Sequence, residues 1–184
     1  RYEFLKIVLK NTKKKDFIVS SLGNISRELY VLNDNKKNGH SKTFYCIGAM
    51  GHANQIALEA SISRKKNKTI ILDGDGSLQM HMGNIITIGK YSKNNLIHIL
   101  FKNGMHESTG HHDLTNENID YKSIFKACGY KNIYRVRQLN KFNKILRYNK
   151  KGLTAIIVEI KPGTLKNLPR PSKKPKQLKN IIKF

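Results

Sequence analysis

From Thr69 to Gly110 the chain reads TIILDGDGSLQMHMGNIITIGKYSKNNLIHILFKNGMHESTG. Two short apolar runs, Thr69 to Leu72 and Leu96 to Phe101, flank a helical pattern from Leu78 to Lys90. Short runs of β-branched and aromatic residues are typical of buried parallel strands, and a helix between two of them makes a βαβ unit. We therefore predict an α/β fold: a doubly wound, mainly parallel sheet with helices on both faces.

Polar residues follow each predicted strand, at the sheet edge where ligands of open α/β sheets bind. Asp75 offers a carboxylate between two glycines, and Asn103 offers an amide oxygen with a backbone carbonyl just after it. These hard oxygens suit Mg²⁺, which usually keeps further positions for water and phosphate. Ser77 stands where the helix begins, so its hydroxyl and the free N–H groups there suit phosphate oxygens. The pattern predicts a metal–diphosphate site.

Each of these motifs has a structural alternative when it is taken alone. Gly-Asp-Gly is common at strand–helix turns, and Asn-Gly is an ordinary turn sequence. Other phosphate-binding loops fit poorly, because Gln79 occupies the third glycine position of GxGxxG and no Gly-Lys-Ser/Thr follows. The two motifs together, at this spacing and after two apolar runs, favour the cofactor site.

The turn Gly74-Asp-Gly-Ser77, followed about 26 residues later by Asn103-Gly104, resembles the cofactor motif of the thiamine diphosphate (TPP) enzymes. The resemblance implies three Mg²⁺ ligands: the side chains of Asp75 and Asn103 and the backbone carbonyl of Met105. It implies cofactor contacts from the same turn: Gly74, Asp75, Gly76 and Ser77. The sequence departs from the family at Lys102, where a first Asn is usual, so we expect a neighbouring polar contact to differ.

A second loop, Gly48-Ala-Met-Gly-His-Ala53, follows a predicted strand at Thr43–Ile47 and precedes a predicted helix. Its glycines allow a positive φ or a close backbone approach. The structural alternative is a tight turn in which Met50 fills the core. In TPP enzymes the corresponding loop holds the aminopyrimidine. The resemblance therefore implies that the Gly48 carbonyl accepts from the 4′-amino group and that Met50 forces the cofactor into its bent form.

Several further stretches resemble, in order, the C-terminal half of the phosphonopyruvate decarboxylase family: Ser26–Tyr30, Gly39–His40, Gly51–Ala57, Leu96–His98, Asn103–Ser108, Pro162–Gly163 and Arg170–Pro171. Sulfopyruvate decarboxylase small subunits share much of this pattern. The implied activity is TPP-dependent decarboxylation of an anionic 2-oxo acid, with phosphonopyruvate giving phosphonoacetaldehyde and CO₂. The alternatives are a sulfopyruvate-type subunit, another 2-oxo acid decarboxylase, or a divergent non-catalytic TPP-fold domain. His111-His112 stands where the family tends to have Gly-Gln, which leaves the substrate open.

His106 and Glu107 are the candidate catalytic residues, because their segment follows Asn103 and is expected to lie over the cofactor. The histidines and acids from His106 to Asp113 also raise the alternative of zinc, but no His/Cys spacing there matches a structural zinc site. In the family, the glutamate that activates N1′ of the pyrimidine comes from a pyrimidine-binding domain, which is not found in this sequence.

We predict one TPP-binding domain over residues 1–162 and a basic tail over residues 163–184, which indicates an extended surface arm or a partner contact. The chain begins with Arg1 rather than Met, so we expect a fragment of a longer chain. The resemblance implies that a pyrimidine-binding domain, fused or supplied as a separate subunit, completes the active site in a homodimer or higher oligomer.

The formal net charge of +23 raises nucleic-acid binding as an alternative. The lysines are spread along the chain, however, and no RNA-binding, zinc-finger or helix-turn-helix motif accompanies them, so we expect no nucleic-acid partner. No apolar run approaches the length of a membrane span, no signal pattern opens the chain, and no membrane partner is expected. Cys46 and Cys128 are expected to be free thiols in a reducing compartment, which favours a cytoplasmic protein.

Some predictions concern residues away from these motifs. Ser26 is expected to cap a helix from Arg27 to Leu32, and Arg27 is either a surface charge or an anion contact near the sheet edge. His40 either faces a substrate or belongs to its loop. A basic helix is predicted from about Leu139 to Asn149, and a last helical turn from Leu178 to Phe184.

Overall fold

The computed structural model describes residues 1–37, 39–92, 94–148 and 151–182 of the chain. The strands are β1 (Phe17–Ser20), β2 (Thr43–Tyr45), β3 (Thr69–Gly74), β4 (Leu96–Lys102), β5 (Met105–His106), β6 (His112–Asp113), β7 (Asn132–Val136) and β8 (Thr154–Glu159). Six of them form a parallel sheet in the order β2-β1-β3-β4-β8-β7, and β5 pairs antiparallel with β6 in a small hairpin.

The helices are α1 (Tyr2–Asn11), α2 (Asn24–Asp34), α3 (Ala53–Ser63), α4 (Asp75–Met80), α5 (Asn84–Tyr91), α6 (Tyr121–Ala127), α7 (Leu139–Arg147) and α8 (Pro175–Ile181). Short 3₁₀ turns occupy Gly39–Lys42 and Glu107–Thr109. Helices α1, α2, α7 and α8 supply buried apolar residues to one side of the sheet, and α3 to α6 supply them to the other. This arrangement confirms the doubly wound α/β fold.

Alternation along the central strands separates the two cores. In β3, Ile70 and Leu72 belong to the α1–α2–α7 side, whereas Ile71 belongs to the α3–α5–α6 side. Burial on both faces explains why these strands are almost continuously apolar. Strand β1 lies between β2 and β3, so the winding of the chain reverses there, and ligands of such sheets bind at the carboxyl ends beside the reversal.

The single helix predicted from Leu78 to Lys90 is wrong, because the chain forms α4 and α5 with a break at residues 81–83. Gly83 is a poor residue for a helix interior. The Asn84 side chain donates to the carbonyl of Gly51 at 3.1 Å, which ties the start of α5 to the preceding loop. The apolar periodicity continues through the break, which is why the pattern indicated one helix.

The predicted capping role of Ser26 is also wrong. Helix α2 begins at Asn24 and Ser26 lies within its first turn, where its hydroxyl donates to the carbonyl of Ser21 at 2.6 Å. Gly23 has φ +89° and ψ −150°, a conformation that glycine adopts without strain, so the chain turns out of β1 earlier than the pattern indicated. The predicted strand Thr43–Ile47 likewise ends at Tyr45.

The residues after β8 pack against α2. The Arg27 guanidinium donates to the carbonyls of Leu168 and Pro169, so in this structure Arg27 contacts the tail. Tyr30 Oη lies 3.0 Å from Ser172 Oγ, and Leu178 is buried. Residues 149, 150, 183 and 184 lie outside the described residues, and with them the last residues of the helices predicted at Leu139–Asn149 and Leu178–Phe184.

His40 belongs to the interior of this same side of the molecule. Its Nδ1 lies 2.9 Å from Tyr45 Oη, and its Nε2 lies 3.1 Å from a carboxylate oxygen of Asp34. Of the two interpretations of His40, the structure supports the structural one. Among the described residues, no helix combines the length and the apolar character that crossing a membrane requires.

Candidate functional site

Asp75 stands at the junction of β3 and α4 with only 1% of its surface exposed. Its carboxylate accepts hydrogen bonds from the backbone N–H groups of Gly76 at 3.0 Å, Asn103 at 3.0 Å and Gly104 at 2.8 Å. The last two residues follow β4, which pairs in parallel with β3. The carboxyl ends of the two central strands therefore meet at one carboxylate.

The Asn103 side chain is held on both sides of its amide. Its Oδ1 accepts from the N–H of Met105 at 3.3 Å, and its Nδ2 donates to Oε2 of Glu107 at 3.3 Å. Gly104 has φ +80°, which allows the tight turn that brings Met105 back toward the asparagine. Carboxylate, amide and nearby carbonyl oxygens thus stand together at this edge.

The charge of Asp75 has no ion-pair partner among the residues that the structure describes. Burial raises the pKa of Asp75 above its ordinary value, and the N–H groups of Gly104, Gly76 and Asn103 act in the opposite direction. A buried carboxylate is costly unless it is paired or binds a metal. The position and its hard oxygen donors therefore fit a divalent cation such as Mg²⁺.

Nearly all candidate site residues line one cleft at this edge of the sheet. They are Met50, Gly74, Asp75, Gly76, Ser77, Asn103, Met105, His106 and Glu107. Arg1 and Asn24, which the sequence analysis did not select, line the same cleft. Gly48 instead lines a second cleft, between the start of α2 and the tail segment 170–175.

The loop before α3 is joined to the α4 turn by hydrogen bonding. The N–H of Gly51 donates to the hydroxyl oxygen of Ser77 at 3.2 Å. Gly48 and Gly51 have φ values of +78° and +82°, which side-chain-bearing residues rarely adopt. Met50 of this loop lines the cleft that contains Asp75, whereas Gly48 lines the second cleft, and a Cβ at Gly48 would meet no atom within 4 Å.

His106 packs directly against the glycine turn. A Cβ atom at Gly76 would lie 2.5 Å from Nδ1 of His106, so only glycine leaves the imidazole in its present place. Ser108 approaches Gly23 in the same way, with its hydroxyl 2.7 Å from the position of a Cβ. The close packing fixes the segment after Asn103 over the α4 turn.

Glu107 is buried and hydrogen-bonded. Its carboxylate accepts from Arg1 Nη1 at 2.8 Å and from the N–H of Gly163. Burial alone raises the pKa of Glu107, but hydrogen bonds from Arg1, Gly163 and Asn24 and the charge of Arg1 lower it below its ordinary value overall. Glu107 is therefore present as a carboxylate near neutral pH.

The positions that depart from the family motif are less enclosed. Lys102 ends β4 and is partly exposed, and His111 and His112 are exposed on the hairpin side. In the described ranges, no group of three or more His, Cys, Asp or Glu side chains is arranged to hold a metal ion, so the zinc alternative gains no support there.

A buried polar cluster behind the α4 turn was missed by the sequence analysis. His98, inside β4, has Nδ1 3.1 Å from Tyr130 Oη and Nε2 3.5 Å from Oδ2 of Asp73. The Asn54 side chain donates to the same oxygen at 3.1 Å. The only sequence signal is a histidine within an otherwise apolar strand, and that signal does not identify its partners.

The fold and the joined strand ends define a class of protein: an α/β domain whose sheet edge is suited to a metal and an anionic cofactor. The family model described as "Thiamine pyrophosphate enzyme, C-terminal TPP binding domain" matches residues 21–160. The chain belongs to this family of TPP enzymes.

Curated relatives point to two kinds of decarboxylase. The chain is 31% identical over 180 residues to phosphonopyruvate decarboxylase of Streptomyces viridochromogenes, covering 97% of this chain and 44% of the relative. It is also 31% identical over 182 residues to sulfopyruvate decarboxylase subunit beta of Methanococcus maripaludis, covering 98% of this chain and 94% of that relative. The chain thus spans less than half of the phosphonopyruvate decarboxylase and nearly all of the beta subunit.

Solved structures agree with the fold. The chain superposes on a putative thiamin diphosphate-dependent enzyme from Mycobacterium smegmatis with a TM-score of 0.68 at 16% identity, covering 86% of this chain and 31% of that one. At this identity the likeness concerns the fold alone.

Proposed function

We propose that this chain is the cofactor-binding half of a TPP-dependent decarboxylase that acts on an anionic 2-oxo acid. The main support for the proposal is one observation. The Asp75 carboxylate, at the end of β3, accepts hydrogen bonds from the N–H groups of Asn103 and Gly104 at the end of β4, beside the Asn103 amide. Membership of the TPP enzyme family and similarity to two kinds of decarboxylase support it. Bound TPP supplies the electron sink that accepts the electrons released when CO₂ leaves.

The metal and diphosphate contacts follow from the donor set. The side chains of Asp75 and Asn103 and the carbonyl of Met105 would hold Mg²⁺, leaving positions for diphosphate oxygens. The turn residues Gly74, Gly76 and Ser77, which line the same cleft, would contact the diphosphate. Met50, which lines the same cleft, would provide an apolar contact to the cofactor. The Gly48 carbonyl would accept a hydrogen bond from the 4′-amino group of the aminopyrimidine.

Phosphonopyruvate is the first proposed substrate, and sulfopyruvate is the second. The phosphonopyruvate decarboxylase relative supports the first, and the nearly full-length match to a sulfopyruvate decarboxylase subunit beta supports the second. Both substrates are anionic 2-oxo acids, which a chain with 35 Lys and Arg against 12 Asp and Glu would attract.

We also propose that a pyrimidine-binding domain or subunit completes the active site, in a homodimer or larger assembly. The name "subunit beta" of one relative supports a second subunit, and the 44% coverage of another supports a fused domain. A cytoplasmic location, a separate role for residues 163–184 and the absence of nucleic-acid partners stay predictions.

The test is calorimetric titration of TPP with Mg²⁺ into the full-length protein together with its partner subunit. We expect Mg²⁺-dependent binding in the wild type and none in Asp75→Ala. Asp113→Ala, which removes an exposed carboxylate from β6, is the matched control and should bind normally. CO₂ release from phosphonopyruvate and from sulfopyruvate then identifies the substrate. Absence of cofactor binding by the wild type would contradict the proposal.

A further inference from the structure

The Glu107 carboxylate is the centre of a buried hydrogen-bond cluster at the mouth of the α4 turn. Only 4% of its side chain is exposed. Its Oε2 accepts from Arg1 Nη1 at 2.8 Å and from Asn103 Nδ2 at 3.3 Å, and its Oε1 accepts from the N–H of Gly163. Both oxygens are therefore occupied by donors of the chain itself.

Arg1 is held as firmly as the carboxylate that it contacts. Its Nε and Nη2 each donate at 3.1 Å to the carboxylate of Glu28 in α2, a bidentate contact with both side chains buried. Nη2 also donates to the carbonyl of Gly163 at 3.0 Å. Bidentate pairs fix the plane of a guanidinium as well as its distance, so Arg1 holds Glu107 in one orientation.

This arrangement determines which atom Asn103 presents to the site. A carboxylate accepts hydrogen bonds and cannot donate them, so the Asn103 side chain must turn its NH₂ group toward Glu107. Its Oδ1 then points away from Glu107, where it accepts from the N–H of Met105. The contact of Nδ2 with Glu107 and the contact of Oδ1 with Met105 therefore define the same orientation of the Asn103 amide. A flipped amide would place an oxygen against the Glu107 carboxylate.

We infer that Glu107 is a positioning residue for the cation site, and that it fixes the Asn103 amide so that the second lone pair of Oδ1, beside the one that accepts from Met105, is available to the metal. The inference rests on the proposed function and differs from the direct catalytic role that the sequence suggested for Glu107. Replacing a group that orients a metal ligand commonly weakens metal binding. Here the orienting group is itself held by Arg1 and by Gly163, which follows β8.

The test compares two substitutions that remove the same charge. Glu107→Met removes every acceptor, whereas Glu107→Gln keeps one oxygen that can accept from Asn103. Calorimetric titration of Mg²⁺ into the full-length protein at saturating TPP should show affinity about 10- to 100-fold weaker for Glu107→Met. Glu107→Gln should bind distinctly more tightly than Glu107→Met, because it can still orient the amide.

Asp16→Asn is the matched control. It removes a different buried carboxylate, which accepts hydrogen bonds from the backbone N–H groups of Lys13 and Lys68 and has no contact with Asn103, so its Mg²⁺ affinity should stay close to that of the wild type even where its stability falls. A role limited to neutralising Arg1 predicts equal losses for both Glu107 variants, and that result would overturn the inference. Unchanged affinity in Glu107→Met would also overturn it.

A second measurement needs no variant at Glu107. In full-length protein labelled with ¹⁵N-asparagine, the Nδ2 protons of Asn103 should exchange with water more slowly than those of the exposed Asn118. Equal exchange rates would contradict the inference, even if Glu107→Met fails to fold. Absence of Mg²⁺ binding by the wild type would instead contradict the proposed function, so the two failures are distinguishable.

Discussion

The N–H of Gly104 donates a hydrogen bond of 2.8 Å to the carboxylate of Asp75, and the N–H of Asn103 donates to the same oxygen at 3.0 Å. One side chain thus holds two successive residues of the neighbouring strand end. The Asp75 oxygen that accepts both bonds therefore stabilises the turn after β4, which contains the proposed metal ligands Asn103 and Met105. Asp75 has a structural role as well as the proposed role in binding.

Asp75→Asn should separate these two roles. Both carboxylate oxygens accept from backbone N–H groups, so an amide must turn its NH₂ toward at least one N–H donor. We expect the free energy of unfolding without Mg²⁺ to fall by about 1–3 kcal/mol, measured by urea denaturation. Asp113→Asn, at an exposed position, should change it by less than about 0.5 kcal/mol. Equal effects of the two substitutions would contradict the structural role.

Gly89 packs against the end of α6 with no room for a side chain. A Cβ atom there would lie 1.6 Å from the carbonyl oxygen of Cys128, which is backbone and cannot rotate away. We expect Gly89→Ala to lower the free energy of unfolding by about 3 kcal/mol, the upper part of the usual range for overpacking.

Gly83→Ala is the control for this substitution, measured in the same denaturation experiment. A Cβ at Gly83 would meet nothing within 4 Å, and its φ of −55° suits any residue. Its effect should stay within about 1 kcal/mol, the scale of a changed helix cap. A Gly89→Ala variant as stable as Gly83→Ala would show that α5 and residue 128 do not pack as described.

The sheet and its binding edge could be predicted because their signals are local in sequence. The runs at Thr69–Leu72 and Leu96–Phe101 have the composition of buried strands, and the residues that follow each run must lie at the same edge of a parallel sheet. The predicted meeting of Asp75 and Asn103 at one place follows from this geometry alone. Their roles in binding metal and cofactor stay predictions.

The contacts that could not be predicted join residues far apart in the chain. Arg1 meets Glu107 across 106 positions, and Arg27 meets Leu168 across 141. Neither contact produces a periodicity or a spacing in the sequence, since each depends on where the whole fold places the two residues. The break between α4 and α5 escaped prediction for a different reason, because the apolar pattern passes through it unchanged.

The pH dependence of stability should include a contribution from Glu159 at the end of β8. Its carboxylate accepts from Arg135 and Arg137. Burial alone raises the pKa of Glu159, but these hydrogen bonds and charges outweigh it and lower the pKa below its ordinary value. The stabilisation is therefore complete above the unfolded-state pKa, about 4.3, and is lost as the pH falls through the folded-state value.

Comparison of the wild type with Glu159→Gln across pH 2–8 measures this contribution. Near pH 7 the wild type should be more stable by less than about 1 kcal/mol, because both guanidinium groups are exposed. The difference should disappear in acid. A difference that stays constant below pH 4 would show that the ionised carboxylate is not its source.

Arg27 should control how firmly the tail is held. Its guanidinium donates to the carbonyls of Leu168 and Pro169, and Arg27→Met removes both bonds while keeping an apolar stem of similar length. Each lost hydrogen bond costs about 0.5–1.5 kcal/mol, so the loss of both should make local opening of the tail at least about fivefold more frequent. Cleavage by trypsin after Lys166 should accelerate by the same factor, since proteolysis of an opened segment follows its population.

Arg64→Met is the matched control for the proteolysis experiment. Arg64 also donates to a backbone carbonyl, that of Lys15 at 2.8 Å, but it does not contact the tail. Its substitution should leave cleavage after Lys166 unchanged. If the two variants are cleaved there at the same rate, Arg27 does not anchor the tail, and the other tail contacts, which include the packing of Leu178 and the Tyr30–Ser172 contact, hold it instead.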